Sequence, residues 1–437
     1  MSSRHIQWLY GELPGLVIRG VLPADCAERL REHYGAMERQ PKRNYALIVC
    51  GVLGAALIGM GVLLLFAHNW EQLSRPARTV LAFLPLLVGQ ALVAWTLLRR
   101  RASIAWREGS TLFVVAGIGA AIALIGQTYH IPGDLGAFLL TWSLLAVPLV
   151  YLLDATLPGL LYWVGLTCWA GYAQGEGGQA VLFWPLAAVM APHCWKAAKT
   201  DPYGPRIVLL GWAFAFCLCV ATGITLEKAM PGLWIPVYCA LFATLCLLDG
   251  YAFADAPSLW RRPLHVVGRG GITVLALLLT FSWPWERVGW SHYRTSARFH
   301  EWAAVHDYVL AIGLLGATAF LLVHAMRGQR RGDIAFGVAG VAGVLGYAAV
   351  SASESEAFGV ALFNLYLLGL SVSVILDGIR NSWLLTLNGG LLMISALIVA
   401  RFFDADLPFT LRGIAFIVLG VGFLGANLLV RRMGDAR

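Results

Sequence analysis

Within nine residues, Gly126-Gln127-Thr128-Tyr129-His130-Ile131-Pro132-Gly133-Asp134, the chain gathers two hydrogen-bonding side chains, an imidazole and a carboxylate between two long apolar runs. Pro132-Gly133 places a turn between His130 and Asp134. A histidine and a carboxylate presented together can exchange a proton or bind a cationic or hydroxylated headgroup. Plainer roles compete for the same residues. Asp134 stands directly before an apolar run, where it can cap a helix, and Gln127 and Tyr129 can satisfy backbone groups freed by the turn.

Other polar residues fall in comparable places. His68-Asn69-Trp70 closes an earlier apolar run, and His68 beside His130 with a carboxylate would make a zinc ligand set. No HxxxH or HxxE spacing fixes such ligands on one helix face, so neither a metal nor another cofactor is expected. Arg401 and Asp404 are three residues apart, the spacing of a local ion pair on a continuing helix. Glu354 and Glu356 stand in a short Ser-rich turn. The stretch 287–305 mixes Trp290, His292, Tyr293, Arg294, Arg298 and His300, as a segment lying on a membrane surface would. Cys217 and Cys219 point about 200° apart on a helix, which argues against a metal pair, and the eight cysteines show no disulfide framework. Motifs for nucleotide hydrolysis, serine esterases and zincins are absent.

The elements that must position these residues are membrane spans. The chain has 437 residues, 59% of them hydrophobic and 13% charged, with mean hydropathy +0.71, whereas soluble domains carry about 25% charged residues. This is the composition of a polytopic membrane protein, an all-α bundle of about fourteen spans long enough for a hydrocarbon core of about 30 Å. The expected spans are 46–68, 78–98, 109–129, 135–153, 156–174, 179–195, 206–226, 232–254, 269–286, 306–326, 333–352, 357–377, 381–400 and 409–430. Prolines 158, 185 and 192 weaken the fifth and sixth.

Before the first span, residues 6–19 and 24–36 read as two amphipathic helices. They form a cytoplasmic hairpin over residues 1–45, with a transmembrane domain over 46–437. With both termini inside, 24 of the 32 Lys and Arg lie on the inner side, the asymmetry of the positive-inside rule. The net charge of +8 is thereby a matter of topology, and no nucleic-acid partner is expected. The same topology puts His68, Asn69, Gln127, Tyr129, His130, Asp134, Glu354, Glu356, Arg401, Asp404 and Asp406 on or near the outer side. No ionisable residue falls in the middle of an expected span, which argues against a proton-driven pump.

Taken together, the N-terminal hairpin, Ala67-His68-Asn69-Trp70, the GQTYHIPGD stretch and Arg401-Phe402-Phe403-Asp404 resemble the bacterial multi-pass membrane protein family called domain of unknown function 2157. The likeness is strongest over residues 5–155 and 360–430. It implies a multi-pass protein of the bacterial inner membrane. It also implies partnership with another multi-pass protein and a small exported protein facing the periplasm, besides the lipid bilayer, and carries no activity with it. The expectation is a carrier or flippase-like protein for a polar or amphiphilic envelope molecule, with His68, Asn69, Gln127, Tyr129, His130, Asp134, Arg401 and Asp404 around an outward-facing vestibule. The alternatives are a periplasmic-leaflet enzyme using His130 and Asp134, or a non-catalytic scaffold or sensor for an exported partner. Of these, non-enzymatic roles are favoured.

Overall fold

The computed structural model describes residues 3–34, 73–226, 230–253, 256, 258–288, 302–327, 331–381, 383–404, 417 and 420–421. The chain divides into two compact units, 1–74 and 75–437. In the first, α1 (Ser3–Ile18) and α2 (Ala24–Tyr34) are separated by a turn at Gly20 with φ +69°. The N–H groups of Val21 and Leu22 both donate to the Leu16 carbonyl there, so carbonyls left over at the end of α1 are used.

The second unit is helical throughout its described residues. Its helices are α3 (Arg75–Arg99), α4 (Ile104–Tyr129), α5 (Leu135–Leu153), α6 (Leu157–Gly175), α7 (Phe183–Ala188), α8 (Ala191–Thr200) and α9 (Pro205–Thr225). They continue as α10 (Trp234–Ala252), α11 (Pro263–Leu278), α12 (Trp302–Arg327), α13 (Arg331–Gly337), α14 (Ala339–Ser353), α15 (Glu356–Arg380) and α16 (Leu384–Asp404). Among the described residues, nine helices are long and apolar enough to cross a membrane. They include α3, α4, α5, α9 and α10; α3 and α5 leave much of their apolar surface uncovered, as a lipid solvent permits, whereas α10 is mostly buried in the core. The protein is therefore an integral membrane protein with multiple spans.

Several hydroxyls within these helices are satisfied locally: Thr96, Thr128, Thr167, Thr222 and Ser371 each donate to the carbonyl four residues earlier at 2.6–2.8 Å, which spares those protons from facing lipid unpaired.

Three expected spans take other forms. Expected span 156–174 corresponds to α6, which falls outside the nine. Expected span 179–195 is broken into a 3-10 turn (Ala180–Leu182), α7 and the start of α8, because Pro185 and Pro192 remove backbone donors from so short a stretch. Expected span 269–286 begins six residues earlier, at Pro263, and its helix is only 16 residues long. The chain then turns at residues 279–287, and the Trp285 indole folds back, fully buried, with Nε1 donating to the Leu279 carbonyl at 3.0 Å. The earlier start places Arg269 inside a helix rather than at its edge. Expected spans 46–68 and 409–430 lie outside the described residues, apart from 417, 420 and 421.

Two apolar cores organise the unit. One, from α5 to α9, is built on Tyr162, Trp163, Leu166, Phe183, Met190 and Leu210. The other joins α10, α11 and α13 to α16 around Trp285, Phe363, Leu367 and Ile272. The end of the bundle carrying Arg99–Arg101, Asp154 and Arg206 is called the inner end below, and the end carrying His130 and Thr280 the outer end.

Candidate functional site

At the outer end, α4 stops at Tyr129 because His130 takes a left-handed conformation (φ 54°, ψ 40°), its N–H and that of Ile131 both turning onto the Gly126 carbonyl. A β-carbon at that φ is strained, and histidine is among the side chains that tolerate it best. Asp134 is the N-cap of α5, its Oδ1 accepting from the Ala137 N–H at 2.5 Å. Gln127, Tyr129, His130 and Asp134 are all exposed. They share one turn, and capping accounts for the Asp134 carboxylate.

This makes His130 separable from its backbone role. His130→Gly is expected to stabilise the protein by about 1 kcal/mol, since glycine adopts the left-handed region freely. Thermal unfolding in detergent measures that gain; a loss of stability would show that the imidazole makes contacts the fold depends on.

Tyr129 does more than face outward. Thr79 donates its hydroxyl proton to the Arg75 carbonyl at 3.0 Å, so in the 2.9 Å contact between the two hydroxyls Tyr129 donates and Thr79 accepts. That bond ties α3 to α4. Directly inward lies a cavity of about 470 Å³ between α3, α4 and α5, lined by Phe83, Leu86 and Gln90, by Ile118, Ile122 and Ile125, and by Pro148. Thr79, Phe83, Leu86 and Gln90 follow one another at helical spacings of four, three and four, as do Ile118, Ile122, Ile125 and Tyr129. The Thr79–Tyr129 bond thus closes the outer end of the two stripes that line the groove. Gln90 is the one polar side chain among its lining residues.

The remaining expected site residues are placed elsewhere or not described. Arg401, near the end of α16, reaches Thr280 Oγ1 at 3.4 Å and lies 5.0 Å from the Phe281 ring centroid. It belongs with the outer end of α11, and no described contact joins it to the α4–α5 turn. The side chain of Asp404, and all of His68, Asn69 and Asp406, lie outside the described residues, as does most of 287–305. Glu354 is a third left-handed helix end (φ 53°), exposed, and Glu356 opens α15. Asn364 Nδ2 donates to the Val360 carbonyl at 2.7 Å and the Thr280 carbonyl at 3.4 Å, holding α15 to the turn after α11. Among the described residues, no group of three or more His, Cys, Asp and Glu could hold a metal ion.

Sequence reasoning missed the inner end, where the densest ionic chemistry lies. Asp154 caps α5 in the left-handed region and receives Arg206 bidentately, Nη1 on Oδ2 at 2.8 Å and Nη2 on Oδ1 at 2.7 Å. Lys196 Nζ stands 3.3 Å from Oδ1, and Arg107 Nη1 3.9 Å from Oδ2. Buried His193 accepts from Arg206 at 3.0 Å through Nε2, which requires the neutral imidazole. The Arg206 hydrogen bonds, with the charges of Arg206 and Lys196, hold the Asp154 carboxyl well below the usual carboxylate range despite its partial burial. Beside it, Glu108 accepts the Thr156 and Leu157 N–H groups at 2.7 and 2.8 Å, occupying the N-terminus of α6.

A second inner network joins α10, α11 and α13. Fully buried Asp249 accepts from Arg262 Nε and Nη2 at 2.8 and 2.5 Å and from the His265 N–H at 3.1 Å. Arg269 Nη2 donates to Asp333 Oδ1 at 2.7 Å. A usable signal was available. These acids and arginines sit near the ends of expected spans on the same predicted face, so pairing across neighbouring helices was open to them.

Compared with known proteins, residues 15–159 match the family described as predicted membrane protein (DUF2157). This is the family the sequence resembles, and the match covers the N-terminal part of that resemblance but not residues 360–430. No curated protein and no solved structure matches the chain.

Proposed function

We propose that this chain, with a predicted-membrane-protein match in its N-terminal third, is a carrier or flippase-like protein for an amphiphilic envelope molecule. We place it in the bacterial inner membrane with about fourteen spans and both termini inside. The observation that carries this reading is the groove between α3, α4 and α5. Its volume of about 470 Å³ lies within the roughly 300–1,000 Å³ of ligand pockets, and its walls are hydrocarbon except for Gln90. The Thr79–Tyr129 bond stands at its outer end, with Gln127, His130 and Asp134 on the adjoining turn.

An amphiphile would lay its apolar part along the isoleucine stripe of α4 and present its polar head to Gln90 or to the outer turn. Parting of Thr79 from Tyr129 would open the groove outward. The isoleucine stripe of α4 that lines the groove runs on to Tyr129, beside the polar turn, an alignment that a periplasmic enzyme built only on His130 and Asp134 would not need.

A phospholipid carrying a photoactivatable diazirine in its acyl chain tests the groove. In liposomes containing the full-length protein, crosslinks should concentrate on Phe83, Ile122 and Ile125 and fall when Leu145, a residue of α5 that also lines the groove, is replaced in Leu145→Trp. Labelling spread evenly over the exposed apolar helix faces would remove the groove as a binding site.

A further inference from the structure

The inner cluster around Asp154 has more positive charge than its own acids can use. Arg206 engages both Asp154 oxygens, and Glu108 is occupied by two backbone N–H groups. That leaves the ammonium of Lys196 facing a carboxylate already bound, and the guanidinium of Arg107 facing the same carboxylate with one Nη1 hydrogen bond to the Leu153 carbonyl at 3.4 Å. The Lys196 side chain is 64% exposed and that of Arg107 22%. Nε of both Arg107 and Arg206 is buried with no hydrogen-bond partner. The N-terminus of α9, which opens one residue before Arg206, adds the positive end of its helix dipole, whereas Glu108 already occupies that of α6.

The helix ends that carry these cations also expose apolar side chains. Tyr151 and Leu152 on α5, Leu209 on α9 and Trp195 on α8 are all exposed, and the Lys199 ammonium lies 4.9 Å from the Trp195 ring centroid. Cations at a membrane boundary, rimmed by exposed hydrocarbon and an interfacial tryptophan, recognise one kind of group well: a phosphate anion bearing acyl chains.

The geometry points to a binding site for a phosphate-bearing anion at the inner end, held by Lys196 and Arg107 beside the Asp154–Arg206 pair. The apolar rim favours an anionic phospholipid headgroup as its source. The site lies at the opposite end of the bundle from the Thr79–Tyr129 closure and stands independently of the transport reading. A phosphate would neutralise the surplus cations and join α4 to α8.

Native mass spectrometry of the full-length protein with phosphatidylglycerol or phosphatidylcholine tests this, with thermal unfolding in inorganic phosphate as a second arm. Wild type should retain phosphatidylglycerol preferentially. Lys196→Gln should reduce that preference about fivefold, from a cost of about 1 kcal/mol per basic side chain near an anionic surface. Lys196→Gln with Arg107→Gln should abolish it, and Arg100→Gln, an exposed arginine at the same end, should leave it intact. Stabilisation by inorganic phosphate that disappears in the double variant, without any lipid preference, would identify a soluble phosphate as the source for the same site. Equal retention of both lipids together with no phosphate effect would overturn the proposal, as would an equal loss in Arg100→Gln. Because the Lys196 side chain is mostly exposed, its single variant is read without concern for folding.

Discussion

Asp154→Asn is expected to destabilise the protein by about 2 kcal/mol and to flatten the acid side of its pH–stability profile. The substitution keeps the shape of the side chain but removes the charge that Arg206 grips with both Nη atoms. Breaking a buried ion pair at one partner costs about 3–5 kcal/mol, because the other charge is left uncompensated. Here the Asp154 side chain retains 25% of its exposure, so solvent screens part of that loss and the lower figure applies.

The pH dependence follows from the same contact. Asp154 has a folded pKa depressed below its unfolded value of 3.8, so its contribution is present above that value and is lost as pH falls toward the folded one. Wild type should therefore lose stability below about pH 4 more steeply than Asp154→Asn. Thermal unfolding between pH 3 and pH 7 in detergent measures both effects. The same substitution at exposed Asp201 provides the comparison, with an expected change within about 0.5 kcal/mol. If Asp154→Asn and Asp201→Asn melted alike, the inner cluster would not be holding the helix ends.

Gly268→Ala should be at least as damaging, by about 3 kcal/mol. A β-carbon on Gly268 would stand 2.6 Å from the Cys246 nitrogen and 2.9 Å from both Cys246 Cα and the Phe242 oxygen. These are backbone atoms of α10, which no side-chain rotation can move. Relief requires α11 to back away from α10 along a contact that small residues make close, and overpacking of this kind costs about 1–3 kcal/mol before secondary losses. Those losses follow because Asp249 on α10 is bound to Arg262 and the His265 N–H at the start of α11.

Two residues away, Gly270 has nothing within 4 Å of its would-be β-carbon. There alanine should stabilise the helix by up to about 1 kcal/mol through propensity alone. Opposite shifts in melting temperature for two Gly→Ala changes on the same helix are the expected signature. Equal shifts would mean that α10 and α11 do not meet as closely as described.

How much of this could be read beforehand depends on whether the cause was local. The end of α4, the Pro132-Gly133 turn and the capping of Asp134 are written within nine residues, and local chemistry fixes them. Long apolar runs likewise identify α3, α4, α5 and α9 within a few residues, because lipid leaves the backbone no alternative to a helix. Asp154 was different. Its partners Arg107, His193, Lys196 and Arg206 come from three other elements, and only packing brings them to one carboxylate. Arg269 was placed at the edge of a span because hydropathy marks where a segment becomes apolar, whereas Pro263 marks where its helix begins. The break over 179–195 had its signal in Pro185 and Pro192. The groove could not be read at all, since neither α3 nor α4 alone shows that their stripes face each other; that follows only from the packing of the two helices, with Gly117 against the Leu86 backbone and Tyr129 bonded to Thr79.

Passage of an amphiphile along that groove can be measured directly. Full-length protein is reconstituted into liposomes containing a phospholipid labelled with nitrobenzoxadiazole on its headgroup, and membrane-impermeant dithionite is added outside. Without protein, only the outer-leaflet label is bleached. With wild type, bleaching should continue well past that point. Leu145→Trp and Ile125→Trp, which narrow the groove from α5 and α4, should return it toward the protein-free level at equal protein incorporation. Bleaching that stops at the outer leaflet with wild type, or that proceeds undiminished in both tryptophan variants, would contradict the account.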